Sequence, residues 1–436
     1  MKKGLVVVLV LLAAVILVSP AIVGRMAERS MDENLNWAAQ ESGAVRVTSE
    51  SFERGWFSSE GQHRIEITDG ELLSAMTTMG MQTDEVPVLL INTKLDHGLI
   101  PVSSMGREQG SLAPGLGSAV STLAIESPDG EVVELPGKIY SKVGLGGELQ
   151  SNYVVGPGSH TDGDTTASWG STDIDVKTDP SSGEAVYRGK IGDLSIDSGN
   201  EGVSLGGISF EGEQMPTDYG FAVGQIEFAI DELILVAPGA PGPMSMAASA
   251  NTELDGEDVN ADATVSATVR ELPQLGDMTL DLDLAIEGAD AATMGRLEQV
   301  VNSLDPSAQQ DPMAMYAAVE DDLKQLFASG FAVNFNRFDI TVPQGTVTSK
   351  LLFSFGEEDV ATFEWTSLLL STEATIDVAI PEAIVEMITA TNPQAAMAIG
   401  GGYLVKEGDA YVLKAEMKKG LLTVNGAPIP IPLGVF

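Results

Sequence analysis

Met278-Thr279-Leu280-Asp281-Leu282-Asp283-Leu284-Ala285-Ile286 is the stretch on which the fold turns. Apolar residues occupy every second position with aspartates between them. A period of two belongs to a β-strand with one solvated face, not to a helix. The pattern repeats just upstream in Ala263 to Val269, and further back in Asp173-Ile174-Asp175-Val176, Ile65-Glu66-Ile67 and Val45-Arg46-Val47-Thr48. Comparable stretches lie at Glu131 to Leu135, Ile139 to Val143, Leu194 to Ile196 and Ile226 to Ile230, then at Phe331 to Ile340, Thr346 to Phe355 and Glu373 to Ala379. Gly, Asp and Ser between them suit tight turns, so successive strands should pair antiparallel. The expected fold class is mainly β (a β-rich α+β arrangement): an elongated or curved antiparallel sheet with a few helices.

Helical spacing interrupts the strands in three places. Ala289 to Leu304 and Met313 to Ser329 read as helices kept apart by Pro306 and Pro312, and Pro381 opens a short helix over 381–390. In Val236-Ala237-Pro238-Gly239-Ala240-Pro241-Gly242-Pro243 alternation stops, which predicts a linker or long loop at 236–250. It divides a β-rich exported domain, 25–235, from a second one with helices, 251–436. Near the end, Gly402 to Lys406 and Ala410 to Lys418 flank Glu407-Gly408-Asp409, and Leu421 to Val424 runs into Asn425-Gly426, a dipeptide suited to positive φ. Pro428-Ile429-Pro430-Ile431-Pro432 should lie extended at a surface or edge.

At the other end, Lys2 and Lys3 precede an apolar run from Gly4 to Gly24. Its roughly 21 residues suffice to cross a bilayer, and the lysines keep the N-terminus cytoplasmic. Residues 1–24 are therefore expected to form a single-pass transmembrane anchor, continued by a helix from Arg25 to about Gln40. The competing expectation is a cleaved signal peptide, since Ser19-Pro20-Ala21 has small residues at suitable spacing, but the apolar run continues through Ile22 and Val23.

The charge narrows the functions. With 63 acidic against 23 basic residues and a formal net charge of −40, the chain repels a phosphate backbone, which argues against nucleic-acid binding. The acids alternate along strands, as solvated faces require. The Asp-rich turns Asp162-Gly163-Asp164 and Asp255-Gly256-Glu257-Asp258 lack the ligand run and closing glutamate of a calcium loop, so no metal is expected. The absence of cysteine removes disulfides, thiolate metal sites and thiol nucleophiles. No Gly-x-Ser-x-Gly, Ser-x-x-Lys or phosphate-binding loop is present, Gly144-Leu145-Gly146-Gly147 lacking the context of one, so neither a catalytic residue nor a cofactor is expected. Of the three histidines, His97 is the best candidate for chemistry. It lies in Leu95-Asp96-His97-Gly98, read as a structural turn in which Asp96 could alternatively hold His97 as a base. Phe327, Phe331, Phe335, Phe338, Phe353 and Phe355 are read as core packed beneath helix residues Leu323 and Leu326, the alternative being an apolar ligand groove.

Three segments carry a family resemblance. The apolar run is followed by Gly24-Arg25-Met26-Ala27-Glu28. Next come Ser51-Phe52-Glu53-Arg54-Gly55-Trp56-Phe57-Ser58-Ser59 and Asp96-His97-Gly98, where Leu99 stands in place of a proline. The third segment is Ile380-Pro381 with Gly420-Leu421-Leu422-Thr423-Val424-Asn425-Gly426. Together they resemble the YdgA-like family of bacterial inner-membrane-anchored proteins of unknown function. The resemblance implies a periplasmic bulk behind an inner-membrane anchor, and it marks Phe52, Gly55, Phe57, Ser58, Asp96, His97, Gly98, Asn425 and Gly426 as motif residues without an assigned role.

These features predict a non-enzymatic scaffold or binding protein of the cell envelope. Its partners would be the membrane through the anchor, further copies of itself, other envelope proteins, or lipid. The alternatives are a lipid or apolar-ligand handling protein using a curved sheet and, third, an envelope hydrolase centred on His97.

Overall fold

The structure, a computed structural model, describes residues 45–67, 88–98, 115–126, 130, 132–199, 202–237, 240–272, 275–304 and 312–429. The expected anchor over 1–24 and the helix from Arg25 to about Gln40 lie outside them. Among the described residues, no helix is long and apolar enough to cross a membrane. The chain divides into two compact units, one of residues up to Pro157 with Gly170–Ile191, the other of Gly158–Trp169 with Gly192 onward.

The first unit begins with β1 (Val45–Arg54), β2 (Ser58–Ile67), β3 (Val88–His97) and β4 (Gly117–Glu126). β5 (Val132–Glu134), β6 (Lys138–Val143) and β7 (Leu149–Val155) follow. β8 (Gly158–Asp162) and β9 (Thr165–Trp169) belong to the second unit, and the chain returns for β10 (Thr172–Thr178) and β11 (Ala185–Ile191). Each strand pairs antiparallel with the next in the order β1-β2-β3-β4-β6-β7-β10-β11, with β5 also on β4. Alternation sorts the two faces: Ser59, Gly61 and His63 of β2 and Thr93, Leu95 and His97 of β3 are buried, while Glu60, Asn92 and Lys94 are exposed.

In the second unit the β8–β9 hairpin leads to β12 (Leu194–Asp197), β13 (Gly202–Pro216), β14 (Ala222–Val236), β15 (Met244–Asp255), β16 (Asp258–Leu272) and β17 (Gly276–Asp290). Helices α1 (Ala291–Ser303) and α2 (Pro312–Ser329) come next, then β18 (Phe331–Val342), β19 (Gly345–Phe355), the single turn α3 (Leu368–Ser371), β20 (Thr372–Pro381), α4 (Glu382–Thr391) and α5 (Pro393–Gly400). β21 (Val405–Glu407), β22 (Ala410–Lys418), β23 (Leu421–Val424) and β24 (Ala427–Ile429) complete it. Pairing is antiparallel throughout, β17 to β18 to β19 to β20 to β22 to β23 to β24, with β21 also on β22. The expected mainly β class and large antiparallel sheet are what the molecule has.

Helix ends follow local chemistry. Asp290 caps α1 by accepting from the Thr293 backbone N–H at 2.8 Å, α2 opens on Pro312, and Pro381 occupies the cap position of α4 rather than its first turn. The segment expected as a linker or long loop, 236–250, lies between β14 and β15 in its first part and is strand from Met244 on. β14 and β15 pair directly across it, and Met244–Asp255 is a strand. Gly242 N–H donates to Arg270 O and Arg270 N–H to Pro243 O, both at 2.9 Å, so the proline-rich segment extends the ladder of a hairpin. The two Asp-Gly segments close the β8–β9 and β15–β16 hairpins, with Gly163 and Gly256 at φ 57° and 68°.

Candidate functional site

The family-like motifs of the first unit converge on one end of β1, β2 and β3. At the β1–β2 turn, Gly55 N–H donates to Ser58 O at 2.8 Å, and a Cβ on Gly55 would come within 2.7 Å of that oxygen, so glycine is required. Trp56 and Phe57 ride on this turn, 56% and 42% exposed. Phe52 lies over Gly61, where a Cβ would be 3.0 Å from its ring. Register then sets Ser58 opposite Asp96, and His97 N–H donates to Phe57 O at 3.0 Å. Two motifs far apart in sequence are thus adjacent strand ends.

Ser59 Oγ and His97 Nε2 lie 3.0 Å apart, each residue only 1% exposed. On the same face Thr93 and Ser121 share a hydrogen bond of 2.7 Å, and His63 is buried as deeply as His97. Asp96 and His97 are not the turn expected of them. They are the last two residues of β3, and the chain turns at Gly98, whose φ of 124° favours glycine. Being neighbours in a strand, they point to opposite faces, so Asp96 is not placed to orient the His97 ring as the third member of a triad. A serine beside an imidazole is the beginning of a nucleophile. Burial of both withholds the hydroxyl from a substrate, and the pair reads as a lock between β2 and β3. The sequence showed Ser59 only as the end of a motif and His63 only as one of three histidines, and it gave no sign of Thr93 or Ser121, because strand register alone brings the four together.

Asn425 and Gly426 belong to the second unit and form the β23–β24 turn, with φ of 48° and 78°. The Asn425 side chain donates to Gly402 O and Tyr403 O at 3.0 and 3.1 Å and accepts from Lys414 N–H at 2.9 Å. This is a clamp on two backbone segments, a structural task.

The second unit holds the larger feature. Register places Phe228, Ala248, Val265, Leu282 and Phe338 side by side across β14 to β18, with Ile230, Met246, Ala267, Leu280 and Ile340 in the adjacent row. The other face carries Ser249, Thr264, Asp283 and Arg337, then Ser266, Asp281 and Asp339. Arg337 bridges Asp281 and Asp339 at 2.9 and 2.8 Å, and these carboxylates hold its guanidinium pKa above the usual value, the hydrogen bond to Asp339 contributing most. Polar atoms are therefore confined to one side.

Among the described residues, helices cover the apolar side at one end. There Val259, Ala289, Ala291 and Leu326 form a buried cluster, joined by Tyr219, Phe221, Ile286 and Phe331. Phe327 of α2 packs against Phe331, Phe355 and Trp365 at centroid distances of 5.3, 4.9 and 5.6 Å. Phe327, Phe331 and Phe355 pack together beside the Leu326 cluster, as expected, each ring half-buried, and Phe338 is 38% exposed. Phe228, Met246, Val265, Leu280 and Leu282 are half-buried as well. An antiparallel sheet with one solvated face ordinarily buries the other; among the described residues, this one leaves Ile226 and Phe338 of its apolar face exposed and their neighbours half-buried.

A family model described as a bacterial protein of unknown function (DUF945) matches residues 1–432. No curated protein and no solved structure matches the chain.

Proposed function

The chain belongs to this bacterial family of unknown function, DUF945, and from that premise we propose that it is a non-enzymatic binding protein of the cell envelope, laying an acyl chain along the apolar face of β14 to β18. The observation that carries this reading is the incomplete burial of Phe228, Val265, Leu282 and Phe338, which lie in one unbroken row with no polar side chain among them. Patches of that kind on a stable protein mark where an apolar partner sits. The strands are 12 to 15 residues long, so at about 3.3 Å per residue the face is long enough for a fatty acyl chain.

The narrower placement rests on the sequence. Lys2, Lys3 and the apolar run to Gly24 support an inner-membrane anchor with a periplasmic bulk, and the motif order shared with YdgA-like proteins supports the same topology. An anchored protein meets its lipid where the membrane supplies it. The acidic surface favours zwitterionic or neutral headgroups over anionic ones.

Native mass spectrometry of the full chain after gentle extraction tests the reading. Discrete adducts with the mass of phospholipid, absent from a Leu282→Gln/Phe338→Gln variant of unchanged fold, are expected. Lipid-free discrete oligomers would favour a self-associating scaffold instead.

A further inference from the structure

We propose that the first unit carries a separate binding site, independent of the apolar face, for a neutral linear oligosaccharide. A cavity of about 750 Å³ opens over the solvated side of β2, β3, β4 and β6, within the usual range of small-ligand pockets. Its walls are polar in an ordered way. Register lines up Ser51, Gln62, Asn92 and Thr122 in one row across four strands, and sets Glu60, Lys94, Val120 and Tyr140 in the next.

Three properties of these rows choose the ligand. The first is charge. In a chain with 63 acidic and 23 basic residues, the cavity lining holds two glutamates, Glu53 and Glu60, against two lysines, Lys94 and Lys138. Lys94 Nζ donates to Glu60 Oε1 at 2.5 Å, so part of that charge is already compensated. A locally neutral site on a strongly acidic protein suits an uncharged ligand, since an anion meets the surrounding field and a cation gains no net attraction from the balanced lining.

The second property is hydrogen-bonding type. Gln62 and Asn92 stand directly opposite one another, and each amide offers a donor and an acceptor at once. Adjacent hydroxyls on a sugar ring need that combination. The third is the Tyr140 ring, half-buried beside Val120, which gives the C–H face of a pyranose an apolar platform while its phenol remains polar. Within a row the side chains recur at the interstrand distance of about 4.8 Å, comparable to the advance of a glycan chain by one ring. A linear oligosaccharide lying across the strands would meet one polar side chain per sugar.

Isothermal titration of the full-length protein in detergent with chitotetraose, cellotetraose and maltotetraose, backed by saturation-transfer NMR, tests the site. At least one should bind saturably, and Asn92→Ala and Tyr140→Ala should each weaken it about tenfold, the loss of a hydrogen bond or a stacking contact. Thr264→Ala in the second unit should change nothing. If Tyr140→Ala alters the near-ultraviolet circular dichroism, Asn92→Ala and Gln62→Ala decide the outcome, because they remove side chains without opening a core. Absence of binding for all three sugars at millimolar concentration, or equal affinity in the wild type and the Asn92 variant, would overturn the proposal.

Discussion

Ser59 Oγ sits 3.0 Å from His97 Nε2, a contact between residues 38 apart in the chain that joins the Phe57-Ser58-Ser59 motif to Asp96-His97-Gly98. Removing the hydroxyl leaves a buried imidazole nitrogen without that partner, so Ser59→Ala should cost about 1–3 kcal/mol, read as a lower urea midpoint at unchanged slope. Because both groups are buried, a fluorophosphonate probe should not label the folded protein. Labelling of the wild type that Ser59→Ala abolishes would restore the hydrolase alternative.

The two ends of the apolar face should respond differently to truncation. Leu326 belongs to the sealed cluster under α2, and Leu326→Ala should cost about 2–5 kcal/mol. Leu282, on β17 and half-buried, loses much less contact, and Leu282→Ala should cost about 1 kcal/mol. Equal losses in chemical denaturation would mean that something packs against Leu282 as closely as the sheet packs against Leu326 of α2.

Much of this fold was legible from residue periods. Alternation in Met278 to Ile286 anticipated β17, Pro312 marked the start of α2, and Asn425-Gly426 announced the positive φ pair of the last hairpin. The strand Met244–Asp255 was hidden because its alanines and serines differ too little in hydropathy to alternate visibly, and the preceding prolines read as a linker. The Ser59–His97 pair was out of reach, since it depends on the register of β2 against β3. Periodicity also told which side of β14, β16, β17 and β18 is apolar, but not how far anything covers it. That depends on where α1 and α2 end, a tertiary fact that no local pattern contains.

Charge makes a separate prediction. At a net charge of −40, the acidic faces repel themselves, and exposed charges interact over a Debye length of about 10 Å at 0.1 M salt. The melting temperature should therefore climb steadily with sodium chloride. Among the described residues, no group of His, Asp and Glu side chains is arranged to hold a metal ion, so millimolar calcium should stabilise no more than magnesium does. A sharp, saturable rise with calcium alone would instead reveal a specific site, since a ligand bound only by the native state stabilises by mass action.

The central claim, that an acyl chain occupies the apolar face of β14 to β18, is tested most directly by photocrosslinking. A phospholipid carrying a diazirine in its acyl chain is supplied to cells making the full-length protein, and the adducts are mapped by peptide mass spectrometry. Labels should fall on Phe228, Met246, Val265, Leu282 and Phe338, which share the apolar face, and spare Thr264, Asp281 and Asp283 on the polar one. Adducts divided evenly between the two faces, or none within residues 222–342, would contradict it.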